Sequence, residues 1–135
     1  MHRVRVVGNR PDFRVFIGLL YSDLHNVNTD GDSFSVESRD WTNLYVKDRE
    51  SDDPSVEIIE ELTGPYFEVS SDSERLETIV ALYLMEYCGD SIERNSLELP
   101  ESAIGELRTK YEKELERGRT SVWHQSSPDV PYPNK

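Results

Sequence analysis

The stretch SDSERLETIVALYLMEYCGD, residues 71–90, constrains the fold more than any other part of this 135-residue chain. Ser71 precedes Glu74 by three residues, which is the spacing of a capping box at the start of a helix. Gly89 stands where helices commonly end in a left-handed residue. Apolar side chains occupy much of the circumference between these ends, at Leu76, Ile79, Val80, Tyr83, Met85 and Tyr87. We therefore predict a central, heavily buried helix that other elements must cover.

The N-terminal half predicts strands, because short apolar runs alternate there with polar residues and turn residues. Four candidates precede residue 50, and YFEVS is a fifth. The four are HRVRVVG (2–8), FRVFIGLLY (13–21), SFSVES (33–38) and WTNLYVKD (41–48). The second of these runs, which continues to Leu24, is an ambiguous one, since a short buried helix would give the same pattern.

Two further segments predict helices. In RESDDPSVEIIEELTGP (49–65), Asp53 suits an N-cap and Pro54 the first helical position. The run LPESAIGELRTKYEKELERG (99–118) predicts a second main helix that ends before Gly118. The fold class we expect is α+β. It comprises an antiparallel sheet of four to five strands, mostly from the N-terminal half, packed by two main C-terminal-half helices plus one short helix. A single domain is expected over 1–118, followed by an extended, Pro-rich tail over 119–135.

The segment NVNTDGDSFSVE, Asn26 to Glu37, has two interpretations. It has oxygen-bearing residues, a Gly and a Glu at the positions of a calcium-binding loop. However, Asn26 stands where such loops prefer Asp, and no helix pattern follows. The pair Asp30-Gly31 is also a strong signal for a two-residue hairpin turn. We predict the turn and no metal site.

No motif in the chain indicates a particular reaction, cofactor or metal. His2, His25 and His124 lie far apart in the sequence, without neighbouring residues at metal-ligand spacing. Glycines occur singly, so a phosphate-binding loop is not expected, and Cys88 closes the apolar helix as a small buried side chain. We therefore expect no cofactor, no metal and no catalytic residue. An enzyme with a site assembled from scattered residues, around Asp23, His25 and Glu37, remains an alternative.

The charge distribution indicates the kind of partner. The net charge is −12, and residues 37–101 hold 18 acidic but only five basic side chains. Such a field repels nucleic acid and anionic membranes and accelerates encounter with a basic protein. The sequence also lacks a secretory signal and an apolar run of the roughly 20 residues that span a bilayer. A single cysteine favours a reducing compartment, so we expect a cytoplasmic protein.

Two segments carry a resemblance to a class of known proteins. The acidic tract DRESDDPSVEIIEE (48–61) and the strand–helix unit YFEVSSDSERLETIVALYLMEYCGDS (66–91) resemble the small acidic immunity proteins that bacteria encode beside polymorphic or contact-dependent toxins. The resemblance implies a non-enzymatic inhibitor that covers the active site or a neighbouring surface of a basic toxin.

On this hypothesis, acids of the tract and one aromatic anchor contact the partner. The predicted acids are Asp48, Glu50, Asp52, Asp53, Glu57, Glu60 and Glu61. The predicted anchor is Trp41 or Tyr45, since aromatic side chains bury a large area at a low entropic cost. A structural or adaptor subunit of a larger assembly is the remaining alternative.

Overall fold

The computed structural model describes residues 1–21, 25–33, 38–126 and 129, which form one antiparallel sheet with helices. The strands are β1 (His2–Val6), β2 (Val27–Gly31), β3 (Asn43–Asp48), β4 (Val56–Glu60), β5 (Tyr66–Ser71), β6 (Gly89–Arg94) and β7 (Leu97–Glu98). The helices are α1 (Val15–Leu20), α2 (Glu74–Cys88), α3 (Glu101–Lys110) and α4 (Glu112–Arg119), followed by a 3-10 turn (Val122–Gln125). The spatial order is β2-β3-β4-β5-β1-β6-β7. The α+β class is confirmed, but the sheet has seven strands instead of four to five, and the helices are spread along the chain.

Helix α2 is the centre of the core, as the sequence predicted. It packs against β1, β5 and β6, where Val4, Val69 and Ile92 are fully buried. Its N-cap is Ser73 rather than the predicted Ser71, and the Ser73 hydroxyl accepts a hydrogen bond from the Leu76 amide at 3.2 Å. The prediction that Gly89 has a left-handed backbone conformation is wrong, because Gly89 is extended and begins β6. Glycine is needed there for close approach, since a Cβ atom would lie 2.8 Å from the Arg5 carbonyl oxygen.

The run FRVFIGLLY contains a helix, so the predicted strand is wrong and the alternative is confirmed. In α1, Val15, Phe16, Leu19 and Leu20 are all buried. The Phe16 ring makes edge-to-face contacts with aromatic rings from two other parts of the core. A continuous apolar run does not distinguish a buried helix from a buried strand, so packing decides the outcome.

The predicted helix in residues 49–65 is also wrong, because β4 occupies its centre. Val56 and Ile58 point into the core, whereas Glu57 and Ile59 are exposed. This alternation has the period of two that a strand requires. Strand β4 lies between β3 and β5, and pairing on both edges outweighs the local helix signals at Asp53-Pro54.

The predicted hairpin turn at Asp30-Gly31 is wrong. Both residues belong to β2, where Asp30 pairs with Tyr45 and Gly31 with Leu44. Two consecutive left-handed residues, as a two-residue hairpin turn requires, occur instead at Asn95 and Ser96, with φ angles of 52° and 70°. These two residues connect β6 to β7. Residues 34–37, which are the middle of the SFSVES strand and include the Glu37 position of the calcium loop, lie outside the described residues.

The C-terminal region differs from the prediction in two ways. The expected helix over 99–118 is divided at Tyr111 into α3 and α4, and Gly118 lies inside α4 rather than after it. The expected extended tail begins with the 3-10 turn, and the Arg14 guanidinium stacks over the Trp123 ring at 4.1 Å. The described part of the segment after residue 118 therefore packs on the domain through Trp123 and the buried Ser126.

A buried histidine makes stability depend on pH. His2 is 1% exposed, and its Nδ1 forms a hydrogen bond with the buried Glu77 carboxylate. Burial lowers the pKa of His2 below its ordinary value of 6.5, an effect that Glu77 opposes and the Arg94 charge reinforces. The unfolded chain therefore binds this proton at a higher pH than the folded chain, and stability is lost as pH falls below 6.5.

We expect the free energy of unfolding to decrease between about pH 7 and pH 5.5, a window set by the ordinary histidine pKa. Urea titrations at several pH values measure this slope. His2→Gln should flatten the slope in part, because burial also lowers the pKa of His124. An unchanged slope in His2→Gln would show that His2 does not titrate in this window.

Candidate functional site

The face of the sheet opposite α2 carries two of the predicted site residues, Tyr45 and Glu57. Across four neighbouring strands, the register aligns Asp30, Tyr45, Glu57 and Ser70 in one row on this face. Asp30 and Glu57 are exposed, and Tyr45 is half-buried between them. No helix in the described part of the chain packs against this face, because the helices contribute to the core on the opposite side. In the described part of the chain, the Asp30 and Glu57 side chains of this row are therefore accessible to solvent.

The connection between β3 and β4 extends this row with further acids. Lys47 Nζ donates to the Asp53 carbonyl at 3.0 Å, which holds the connection beside the open face. We define the acidic patch as the six exposed acids at this end of the sheet together with Tyr45. The acids are Asp30, Glu50, Asp52, Asp53, Glu57 and Asp72.

Most acids of the patch lack a neutralising partner. Among the described residues, no ion pair involves Asp30, Asp52, Asp53, Glu57 or Asp72. Elsewhere on the open face the cations are paired, since Arg3 bridges Glu61 and Glu93, and Arg5 pairs with Asp90. The patch therefore keeps most of its negative charge, offset in part by Lys47, whose ammonium donates to the Asp48 and Asp53 carbonyls.

A shallow polar groove lies inside the patch. It has a volume of about 240 Å³ and is lined by Ser55, Glu57, Ser70, Ser71 and Asp72. Hydroxyls and carboxylates around a shallow groove can accept hydrogen bonds from Lys or Arg side chains of a partner.

Three of the predicted acids lie elsewhere. Asp48 is buried, and Glu60 is half-buried at the end of β4. Glu61 accepts hydrogen bonds from Arg3 at 2.7 and 2.8 Å, and these bonds lower the pKa of the Glu61 carboxyl. The structure therefore brings four of the seven predicted acids into the patch: Glu50, Asp52, Asp53 and Glu57. Asp30 and Asp72 were not predicted from the sequence, because only the folded chain places them. Asp30 lies beside Tyr45 through the β2–β3 pairing, and Asp72 lines the groove with Glu57 from the connection between β5 and α2.

The two predicted aromatic anchors have different environments. Trp41 is 1% exposed and donates from Nε1 to the Pro11 carbonyl at 2.8 Å. Its ring makes edge-to-face contacts with Phe16 and Phe67, both at centroid distances of 6.1 Å. Trp41 is thus a core residue, whereas Tyr45 is directly opposite Glu57 on the open face.

A second polar cluster lies at the edge of the patch. His25 contacts Asp48 Oδ1 through Nε2 at 2.7 Å and Glu50 Oε2 through Nδ1 at 3.1 Å. Hydrogen bonds from the Ser51 hydroxyl and the Glu50 amide lower the pKa of Asp48 to about 2. Sequence spacing does not reveal this cluster, because the β2–β3 pairing brings residues 25 and 48 together. The other members of the scattered enzyme site, Asp23 and Glu37, lie outside the described residues.

Two remaining candidates for catalysis have unfavourable environments. Burial raises the pKa of the Cys88 thiol to about 12, so little nucleophilic thiolate forms at neutral pH. A surface hollow of about 400 Å³ is lined by Glu86, Tyr87, Arg119 and His124. Both Glu86 oxygens accept hydrogen bonds from Arg119, at 2.6 and 2.9 Å. This ion pair makes the Glu86 carboxylate a poor general base.

No protein-family model, curated protein or solved structure matches the chain. None of the helices in the described ranges combines the length and the apolar character required to cross a membrane.

Proposed function

We propose that this protein is a non-enzymatic binder that recognises a basic protein partner through the acidic patch. The observation that carries the proposal is the set of exposed acids without ion-pair partners around Tyr45. Two of them, Asp30 and Glu57, lie beside Tyr45 on a sheet face against which no described helix packs. The concentration of negative charge at one end of the sheet favours a basic surface of similar extent.

The physical basis is electrostatic steering combined with an aromatic contact. Unpaired carboxylates accelerate association with a cationic protein, and close charge pairs across an interface can contribute several kcal/mol of coupling. Tyr45 adds apolar area and a hydroxyl at the centre of the patch, where interface residues contribute most. The paired Arg3 and Arg5 bound the patch on the β1 side.

The more specific proposal is that the partner is a toxin and that the chain is a bacterial, cytoplasmic immunity protein. The resemblance of segments 48–61 and 66–91 to such proteins supports this identity. If the toxin is a nuclease, the patch would occupy the basic surface that otherwise binds nucleic-acid phosphates.

Affinity capture from the source-cell lysate tests the binding function. The tagged wild-type chain should retain one basic protein at about 50 mM salt and release most of it at about 500 mM, where exposed charges are screened. The variant Asp30→Lys/Glu57→Lys should lose this protein at both salt concentrations. Glu101→Lys/Glu106→Lys is the matched control on α3, because it changes the net charge equally outside the patch.

Toxicity assays then separate the general proposal from the specific one. Expression of the captured protein alone should arrest growth, and co-expression of the wild-type chain should restore it. A harmless partner would refute the immunity function but leave the binding function intact. Equal capture by wild type and Asp30→Lys/Glu57→Lys would refute the patch as the binding surface.

A further inference from the structure

We propose that His25, Asp48 and Glu50 form a binding site for a divalent transition-metal ion of the zinc type. One ligand atom from each residue lies within 4.8 Å of the other two. His25 Nε2 and Asp48 Oδ1 are 2.7 Å apart, and His25 Nδ1 lies 3.1 Å from the Glu50 carboxylate. The site goes beyond the proposed binding function and does not depend on it.

The ligand geometry is within reach of a tetrahedral ion. Metal–ligand bonds of about 2.0 to 2.2 Å separate the ligand atoms around zinc by about 3.3 to 3.6 Å. The two short contacts use opposite nitrogens of the His25 ring, so an ion would bind one of these nitrogens, and the carboxylate on the other side must swing around the ring to join it. Glu50 can make most of this movement, since its side chain is 55% exposed, whereas that of Asp48 is 6% exposed. Three protein ligands leave the fourth position to water.

The chemistry of the ligands favours zinc-type ions over calcium or magnesium. One imidazole nitrogen with two carboxylates suits zinc and its transition-metal neighbours, whereas calcium and magnesium prefer oxygen ligands alone. This site is also distinct from the calcium loop considered from the sequence, because it uses His25 and the end of β3.

Neighbouring groups hold two of the ligands, His25 and Asp48, in place. The Tyr21 ring stacks on the His25 ring at a centroid distance of 4.8 Å and an interplanar angle of 21°. The Ser51 hydroxyl donates to Asp48 Oδ2 at 2.6 Å, and the Glu50 amide donates to Oδ1 at 2.8 Å. Such surrounding contacts orient metal ligands and strengthen binding.

The Tyr21 hydroxyl is a further indication that this region accommodates a polar guest. It is buried and has no hydrogen-bond partner among the described atoms. A metal-bound water would supply the acceptor that it lacks.

Calorimetric titration of the full-length, tag-free chain with zinc chloride tests the site. We expect one ion per chain, and His25→Gln and Glu50→Gln should each weaken binding at least tenfold. The matched control is Asp52→Asn, which changes an exposed acid of the same loop and should bind zinc within about twofold of wild type. Zinc at a hundredfold excess over its Kd should raise the unfolding temperature by about 5 °C or more.

Several outcomes would overturn the proposal. They are the absence of saturable zinc binding, an unchanged affinity in both His25→Gln and Glu50→Gln, and calcium binding as tight as that of zinc. The two ligand variants change partly or fully exposed side chains, so their folding can be verified by urea titration. Asp30→Lys/Glu57→Lys keeps all three ligands and should bind zinc normally, which separates this test from that of partner binding.

Discussion

Trp41→Ala should lower the free energy of unfolding by about 3 to 5 kcal/mol, the usual cost of removing a fully buried Trp. The Trp41 ring contacts Phe16 of α1 and Phe67 of β5, so it joins a helix of the core to the centre of the sheet. Truncation would leave a cavity at this junction, together with an unsatisfied Pro11 carbonyl.

Urea denaturation of three variants separates the core function of Trp41 from an interface function. Trp41→Phe keeps an aromatic ring but loses the Nε1 hydrogen bond, so we expect a smaller loss of about 1 to 2 kcal/mol. Tyr45→Ala, on the open face, should cost about 1 kcal/mol or less. If Trp41→Ala were as stable as wild type but no longer bound the partner, Trp41 would be an interface residue.

Asp12→Ala should also cost about 3 to 5 kcal/mol, the range for breaking a buried ion pair from one side. Asp12 is fully buried and accepts hydrogen bonds from the Arg14 guanidinium and, at 2.5 Å, from the Ser126 hydroxyl. It thus connects the segment before α1 to the chain after the 3-10 turn. Ala removes the acceptor for both donors while the Arg14 charge stays in its buried position.

Urea denaturation of Ser126→Ala shows how much of the free energy of unfolding contributed by Asp12 comes from its hydrogen bond with Ser126. The single Ser126 hydrogen bond should contribute about 1 to 3 kcal/mol, because its acceptor is charged. The double variant should be no more than slightly less stable than Asp12→Ala, since both changes remove the same bond. A loss below about 1 kcal/mol in Asp12→Ala would contradict the contribution of this ion pair.

Local sequence signals predicted some elements and not others for identifiable reasons. The hydrophobic pattern is longer or more regular in β1, β3, β5 and α2 than in the neighbouring segments, so these elements were predicted. In β4, the run Val56–Glu60 is short enough that flanking Asp and Pro residues suggested a helix. Strand β7 was missed because its two residues are exposed and are defined by pairing with β6, which only the folded chain shows.

The candidate site was predictable only in part. The tract 48–61 identified the acidic region, since its seven carboxylates in 14 residues are a higher density than in other segments of the chain. Which acids share a surface depends on the side of each strand, which separated Asp48 from Glu57, and on pairing, since Glu61 on the open face is neutralised by Arg3. The His25–Asp48 contact likewise follows from β2–β3 pairing, across 23 residues of sequence.

The most direct test of the binding function is the Kd of the purified chain for its captured basic partner, measured by calorimetry. We expect Asp30→Lys/Glu57→Lys to raise the Kd at least tenfold, since each reversal replaces an attraction by a repulsion. Tyr45→Ala should raise it as well, and Glu101→Lys/Glu106→Lys should leave it within about twofold of wild type. An equal Kd for wild type and the patch variant, or an equal increase in the α3 control, would contradict recognition through the acidic patch.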